Sequence, residues 1–125
     1  MYSNGYNVYK NNSINYASKD QLLLMIVDGA VKFVKRAELA IQEKDIMKAH
    51  ENLIKTQDIF IELMASLDRN AGDWAEQLYK VYQFIYDKLV ETNIKKELKT
   101  LQEVIPLIVD VRDLWYETYE KAKNQ

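Results

Sequence analysis

Apolar residues recur every three or four positions along four stretches of the chain, which is the period of one face of an α-helix. Ser18 and Gln21 have the spacing of a capping box and predict the start of the first helix. The short connections predict an all-α fold, an antiparallel up-down four-helix bundle over residues 18–125. The other predicted helices run from about Ile46 to Leu67 with Asp45 as N-cap, from about Trp74 to Glu91, and from near Lys96 to about Ala122.

Three features of the sequence predict local details of individual helices. Asp73 and Glu76 have the spacing of a second capping box, at the start of the third helix. Pro106 lies inside the fourth helix, where its missing N–H and its ring predict a kink, or a short separate helix before it. Gly29 lies in the middle of the first helix, where glycine costs about 1 kcal/mol relative to alanine. This predicts that another helix packs closely against it or, as the alternative, that a client contacts the helix there.

The helices carry more apolar residues than one core requires. A helix that faces a single core needs roughly three apolar positions in seven. The first helix has 14 apolar residues among the 22 of 20–41, and the third has 11 among the 17 of 74–90. The second and fourth are closer to ordinary, with 12 of 22 over 46–67 and 13 of 25 over 98–122. The surplus predicts a surface for another subunit, a client segment or the chain's own N-terminal residues.

The third helix carries two neighbouring apolar stripes. One has the pattern of a core face and consists of Trp74, Leu78, Val81, Ile85 and Leu89. The other consists of Tyr79, Tyr82 and Tyr86. These tyrosines either flank the core with their hydroxyls in water or form the wall of a binding groove, since tyrosine is common where an interface is partly apolar and partly wet.

Composition excludes several kinds of chemistry. The 125 residues suit one domain, cysteine is absent, and the net charge of −2 gives no electrostatic reason to expect nucleic acid. His50 is the one histidine, and Met47 stands where a di-iron bundle needs glutamate. No Gly-rich phosphate loop, Gly-x-Ser-x-Gly motif, signal peptide or membrane-spanning apolar run occurs. We therefore expect no catalytic, cofactor or metal site, no enzyme activity and no direct membrane insertion.

The first seventeen residues lack a helical period and are predicted to form a mobile N-terminal segment outside the bundle domain. Their Asn and Ser residues keep the segment soluble, while Tyr6, Val8, Tyr9 and Ile14 are spaced to place apolar groups on a groove of the bundle. The segment is therefore either a movable cover for that groove or a passive terminus with incidental tyrosines.

Several segments resemble, in order and spacing, the flagellar secretion chaperones called FliS. They begin with the pattern Tyr6-x-x-Tyr9 followed by "NNSI", and continue with "LLLMIVDGAVKFVKRAELAI". Next come "ENLIKTQDIFIELMASLDRN", "LYKVYQFIYDKLVETNIKK" and "EVIPLIVDVRDLW". Each segment alone is a weak helical pattern, but their order and spacing along nearly the whole chain are specific.

The resemblance implies a cytoplasmic export chaperone. Such a protein binds the C-terminal segment of flagellin, prevents premature polymerisation, and aids delivery to the export gate protein of the flagellar type III apparatus. In the family the client lies in apolar grooves and orders as it binds. The N-terminal segment, with Tyr6, Val8, Tyr9 and Ile14, would cover part of the client site or dock on the gate. The alternative function is a structural bundle that homodimerises through the same surface.

We predict that the client groove lies between the second and third helices. The tyrosine stripe, with Ile85 below it, forms one wall, and exposed positions of the second helix form the facing wall. Trp115 and Leu53 are expected in the core. The predicted client-binding residues are Ile54, Gln57, Ile61, Tyr79, Tyr82, Ile85 and Tyr86.

Overall fold

Four helices account for nearly all of residues 18–124, the part of the chain that the computed structural model describes. Each helix packs against the next, and the first packs against the last, which closes a ring. Short connections make successive helices antiparallel, so the predicted up-down four-helix bundle is confirmed. The predictions for residues 1–17 lie outside the described residues. The helices are α1 (Lys19–Gln42), α2 (Ile46–Ser66), α3 (Asp73–Lys95) and α4 (Leu98–Lys123).

The starts of α1 and α2 follow the predicted caps. The Gln21 backbone N–H donates to Ser18 Oγ and the Ser18 backbone N–H donates to Gln21 Oε1, both at 3.1 Å. At the start of α2, Asp45 Oδ1 accepts from the Lys48 backbone N–H at 3.1 Å. These contacts satisfy backbone donors that have no partner inside the helix. Local sequence therefore fixes where both helices begin.

The predicted capping box at Asp73 and Glu76 is wrong. Helix α3 begins at Asp73 itself, after Gly72, whose φ of 148° is unfavourable for any residue with a side chain. Glu76 is instead bound by Arg69 through two hydrogen bonds, of 2.7 and 3.0 Å. A two-pronged guanidinium–carboxylate pair is stronger than a cap contact to a neutral N–H, which explains the different partner.

Helix α4 is continuous through Pro106, so a separate helix before the proline is wrong; a kink there stays a prediction. Leu101 and Val104 before the proline, and Ile108 and Val111 after it, are all buried in the same core. Burying this apolar face on both sides of the proline outweighs one lost backbone hydrogen bond.

The core lies along the bundle axis and draws on all four helices. Leu53 is fully buried, as predicted, and the Phe60 and Tyr82 rings meet edge to face at 5.9 Å. Trp115 is half-buried and packs against this core. Buried Thr56 and Thr92 satisfy their hydroxyls on backbone carbonyls four residues earlier. Both buried hydroxyls therefore have hydrogen-bond partners, as polar groups in protein interiors usually do.

Candidate functional site: an apolar groove between α2 and α3

One side of α3 is fixed against α2 by polar contacts. Asn93 Nδ2 donates to Gln57 Oε1 at 3.4 Å, and His50 Nδ1 lies 3.1 Å from Asn93 Oδ1. Tyr79, Tyr86 and Asn93 are spaced by seven residues, which keeps them on nearly one line along a helix. Tyr79 and Tyr86 therefore lie on the side of α3 that faces α2.

Helix α2 presents a matching line of apolar side chains. Met47, Ile54 and Ile61 are also spaced by seven residues and lie on the same side of α2 as His50 and Gln57. Met47 is 73% exposed, Ile61 is exposed and Ile54 is half-buried. This line forms the α2 wall of a groove that runs along the bundle.

The α3 wall combines aromatic and aliphatic side chains. Tyr79, Tyr86 and Val90 are half-buried, and Ile94 is 79% exposed. These four residues follow one another at intervals of seven and four, so they form one edge of the helix beside α2. We infer from helical spacing and exposure that these two lines of residues face each other, and we call the surface between them the α2–α3 groove: Met47, Ile54 and Ile61 on one side, and Tyr79, Tyr86, Val90 and Ile94 on the other.

Polar side chains fill the space between the two helices at one end of the groove. Gln57 is buried, and its amide oxygen accepts from Asn93. Lys96 Nζ donates to Asn93 Oδ1 at 2.7 Å and also to the Asn93 backbone carbonyl. These groups satisfy one another, so the groove presents its apolar walls rather than unpaired polar atoms.

Arg69 closes the opposite end of the groove. Its guanidinium carbon lies 3.8 Å from the centre of the Tyr79 ring, a close cation–π contact. The same guanidinium binds both carboxylate oxygens of Glu76, and this hydrogen bonding lowers the pKa of Glu76. The α2–α3 connection is thereby joined to the first turns of α3, and the Tyr79 ring is held in one orientation.

Two predicted wall residues lie elsewhere. Tyr82 is only 1% exposed and its hydroxyl accepts a hydrogen bond from Trp115 Nε1 at 2.8 Å, so its placement on an exposed wall is wrong. Burial raises the pKa of Tyr82 to about 12. Gln57 is buried and not an exposed wall position. Ile85 is fully buried, below the tyrosines as expected. That Gln57 and Ile85 affect client binding stays a prediction, whereas the burial of Tyr82 favours a role in stability instead.

The helical repeat explains why Tyr82 differs from its neighbours. Each residue advances 100° around an α-helix, so Tyr79 and Tyr86 lie 20° apart while Tyr82 is turned about 40–60° further inward. That rotation places Tyr82 beside Ile85 and Leu89, at the centre of the buried face. The tyrosine stripe therefore straddles the boundary between the core and the groove.

The sequence-based prediction missed Met47, Val90 and Ile94 as wall residues. The seven-residue spacing of Met47 with Ile54 and Ile61 was the available signal for the α2 wall. For α3, Leu78, Ile85 and Leu89 of the predicted core stripe are buried, but Trp74 is 54% exposed and Val81 is 41% exposed, so the prediction is wrong for these two. Phe84 of α3 and Leu114 of α4 are exposed as well. Together with Trp74 and Val81 they make up a second exposed apolar surface, which we call the α3–α4 surface: Trp74, Val81, Phe84 and Leu114.

The described part of the chain offers binding surfaces rather than reactive groups. Among residues 18–124, no group of three or more His, Cys, Asp or Glu side chains is placed to hold a metal ion. None of the four helices in that range is both long enough and apolar enough to span a membrane. Fold and site thus define a class, a four-helix bundle whose candidate site is an apolar groove.

Comparison with known proteins gives the family. A model of the family described as Flagellar protein FliS matches residues 2–122. The flagellar secretion chaperone FliS of Bacillus subtilis (strain 168) is 36% identical over 121 residues, which cover 97% of this chain and 90% of that protein. The FliS of Salmonella typhimurium is 30% identical over 111 residues, covering 87% and 82%. The chain belongs to the FliS family of flagellar secretion chaperones, a family that is not enzymatic.

A solved structure supports the fold independently. The solved structure described as "Crystal structure of flagellar chaperone from bacteria" superposes on this chain with a TM-score of 0.74. The superposition covers 97% of this chain and 99% of the chain in that structure. Its sequence identity is 18%, so this likeness concerns the arrangement of the helices.

Proposed function

We propose that this protein is a cytoplasmic export chaperone that binds the C-terminal segment of flagellin in the α2–α3 groove. The observation that carries the proposal is the two lines of apolar side chains on α2 and α3 that stay at least partly exposed along much of their length. An amphipathic helix laid in such a groove buries its apolar face against both walls. While bound, that face is not available to other flagellin molecules, and polymerisation is prevented.

The chemistry of the walls suits a client that must be released again. Tyr79 and Tyr86 offer apolar rings together with hydroxyls that stay near water, and the aliphatic residues opposite them supply apolar area. A segment that is disordered before binding must also lose conformational entropy, which limits the affinity gained for a given buried area. Such binding favours handing the client over to the export gate protein of the flagellar type III apparatus.

The N-terminal residues enter the proposal as a cover. Tyr6, Val8, Tyr9 and Ile14 would occupy the groove in the absence of client and would have to leave it for flagellin to bind. A competing cover lowers apparent affinity by the fraction of protein that is covered. Deleting residues 1–16 should therefore tighten binding of a flagellin C-terminal peptide. Unchanged or weaker binding would mean that the segment is passive or that it docks on the client or the gate.

A second candidate function rests on the α3–α4 surface, where Trp74, Val81, Phe84 and Leu114 are all exposed. Exposed apolar residues on one side of a bundle favour a structural homodimer. Light scattering on the protein alone and with a flagellin C-terminal peptide separates the two functions. A 1:1 complex that gains helical circular dichroism supports the chaperone. A dimer that ignores the peptide, and that Phe84→Glu dissociates, supports the structural bundle.

A further inference from the structure

Three cationic side chains surround the ring of Phe33 on the side of the bundle formed by α1 and α2. Lys55 Nζ lies 5.3 Å and Lys32 Nζ 5.5 Å from the centre of the ring, and the Arg36 guanidinium carbon lies 6.0 Å from it. Each distance is within the range of a cation–π contact. We call this group the Phe33 patch: Lys32, Phe33, Arg36 and Lys55.

The patch extends along a shallow groove toward the C-terminal end of α1. This groove is lined by Arg36, Leu39, Lys48, Asn52 and Lys55, with Asp45, Met47 and Glu51 completing the lining. Leu39 is exposed and adds an apolar position. The lining contains two carboxylates, Asp45 and Glu51. Asp45 accepts a hydrogen bond from the Lys48 backbone N–H as the N-cap of α2, and Glu51 takes no part in that cap.

The Phe33 patch and the α2–α3 groove lie on different sides of α2, and Met47, at the start of α2, borders both the α2–α3 groove and the shallow groove beside the patch. Lys55 is two residues from Gln57, and two residues turn an α-helix by 200°. Gln57 faces α3 through Asn93, so Lys55 points to the other side, where it reaches Phe33 of α1. A ligand can therefore occupy the Phe33 patch while a client helix lies in the α2–α3 groove.

The charge of the patch contrasts with that of the whole chain. The protein has 17 Lys and Arg against 19 Asp and Glu, a net charge of −2. Within residues 18–124, Lys32, Arg36 and Lys48 form no ion pair, whereas Arg69, Lys88, Lys95 and Arg112 all do. Lys32 and Arg36, beside the Phe33 ring, therefore form a site that attracts negative charge and offers apolar contact at once.

We infer that the Phe33 patch docks an acidic amphipathic segment of another protein. Carboxylates of such a segment would pair with Lys32, Arg36 and Lys48, and its apolar side chains would rest on Phe33 and Leu39. Nucleic acid fits less well, because the four cations Lys32, Arg36, Lys48 and Lys55 on a net acidic chain neutralise few phosphates. An anionic membrane fits less well too, since the acidic residues elsewhere on the protein are repelled by it.

The test uses full-length protein and a fluorescein-labelled helical peptide that carries glutamates on one face and leucine and phenylalanine on the other. A second peptide with lysine in place of every glutamate is the control probe. Fluorescence anisotropy should show binding of the acidic peptide alone. The double variant Lys32→Glu/Arg36→Glu should weaken it at least tenfold, whereas Lys80→Glu/Lys99→Glu, with the same change in net charge, should change it less than twofold.

Three outcomes would overturn the inference. One is equal weakening by both double variants, which indicates attraction by net charge. Another is binding of phosphatidylglycerol vesicles or single-stranded DNA with no binding of the peptide. The third is a concentration-dependent dimer that Lys32→Glu/Arg36→Glu abolishes, which would make the partner a second copy of this chain.

The inference stands apart from the proposed flagellin site. Ile94→Glu, on the α2–α3 groove, should leave binding of the acidic peptide unchanged, and Lys32→Glu/Arg36→Glu should leave binding of a flagellin C-terminal peptide unchanged. If Ile94→Glu weakens acidic-peptide binding as much as the patch variant does, both peptides share one site and the separate patch is excluded.

Discussion

The Trp115 indole N–H donates to the Tyr82 hydroxyl at 2.8 Å, and this hydrogen bond joins α4 to α3 at the edge of the core. Tyr82 thereby serves stability, because its ring packs on Phe60 and its hydroxyl has a fixed partner. The tyrosines on either side of it along α3 remain half-exposed beside α2. One helix face thus supplies both the core and the α2–α3 groove.

Substitutions at Tyr82 should change stability and spare client binding. Tyr82→Phe removes the acceptor of Trp115 and should lower the free energy of unfolding by about 1 kcal/mol. Tyr82→Ala also opens a cavity and should lower it by about 3–5 kcal/mol. Urea unfolding measures both changes. Strong loss of flagellin-peptide affinity in a folded Tyr82→Phe variant would contradict the assignment of Tyr82 to the core.

Stability should fall in alkaline solution because of Tyr82. Burial raises its pKa to about 12 from the ordinary value of 10.0, so the folded state holds this proton more tightly than the unfolded chain does. Below pH 10 the hydroxyl is protonated in both states, and the contribution of Tyr82 to the free energy of unfolding is fully present. As pH rises from 10 toward 12, this contribution is lost and the free energy of unfolding falls by about 2 kcal/mol. The difference between wild type and Tyr82→Phe, followed by urea unfolding from pH 8 to 11.5, isolates this contribution. A constant difference would exclude it.

Tyr116 adds a smaller effect in the same direction. Its hydroxyl donates to Asp28 at 2.5 Å, which joins α4 to α1, and this hydrogen bond raises the pKa of Tyr116. Since Tyr116 is exposed, its contribution is screened by solvent. In the same pH series, Tyr116→Phe should therefore alter the pH dependence less than Tyr82→Phe does.

Two glycines should respond to alanine in opposite directions. A Cβ on Gly29 would lie 3.4 Å from Ile59 Cδ1, an ordinary van der Waals contact, so Gly29→Ala should raise the free energy of unfolding by about 0.5–1 kcal/mol. Gly72 has a φ of 148°, and a Cβ there would lie 3.0 Å from Trp74 Cδ1. Gly72→Ala should destabilise by more than about 1 kcal/mol. Thermal unfolding of both variants checks this, and a destabilising Gly29→Ala would disprove the predicted spacing of α1 and α2.

Gly29 also illustrates what could be predicted from the sequence. Hydrophobic period and cap residues predicted four helices and their approximate bounds, because both signals arise within a few residues of each other. A glycine inside a helix also predicted close packing, but a contact distance to Ile59 depends on α2 and is not encoded locally. The same limit applies to Glu76, whose partner Arg69 lies across a connection.

Of the residues predicted for the client groove, Ile54, Ile61, Tyr79 and Tyr86 lie at least partly exposed, whereas Gln57, Tyr82 and Ile85 are buried. Of the two adjacent stripes on α3, the one with Trp74 and Val81 was predicted to face the core, but the buried face is centred between the two stripes, on Leu78, Tyr82 and Ile85. That rotation exposes Trp74 and Val81 and buries Tyr82. The rotation of a helix about its own axis is set by packing against its neighbours, here α2 and α4, and the stripes of a single helix do not determine it.

If flagellin binds in the α2–α3 groove, calorimetric titration with a flagellin C-terminal peptide should detect a change at one wall residue. Ile94→Glu places a charge on an exposed wall position, and Leu39→Glu places the same charge on an exposed apolar position of α1 outside the groove. Both variants should unfold at nearly the wild-type temperature. Binding in the groove requires that Ile94→Glu weakens the affinity at least tenfold, about 1.4 kcal/mol, while Leu39→Glu changes it less than twofold. Wild-type affinity in Ile94→Glu, or equal losses in both variants, would contradict it.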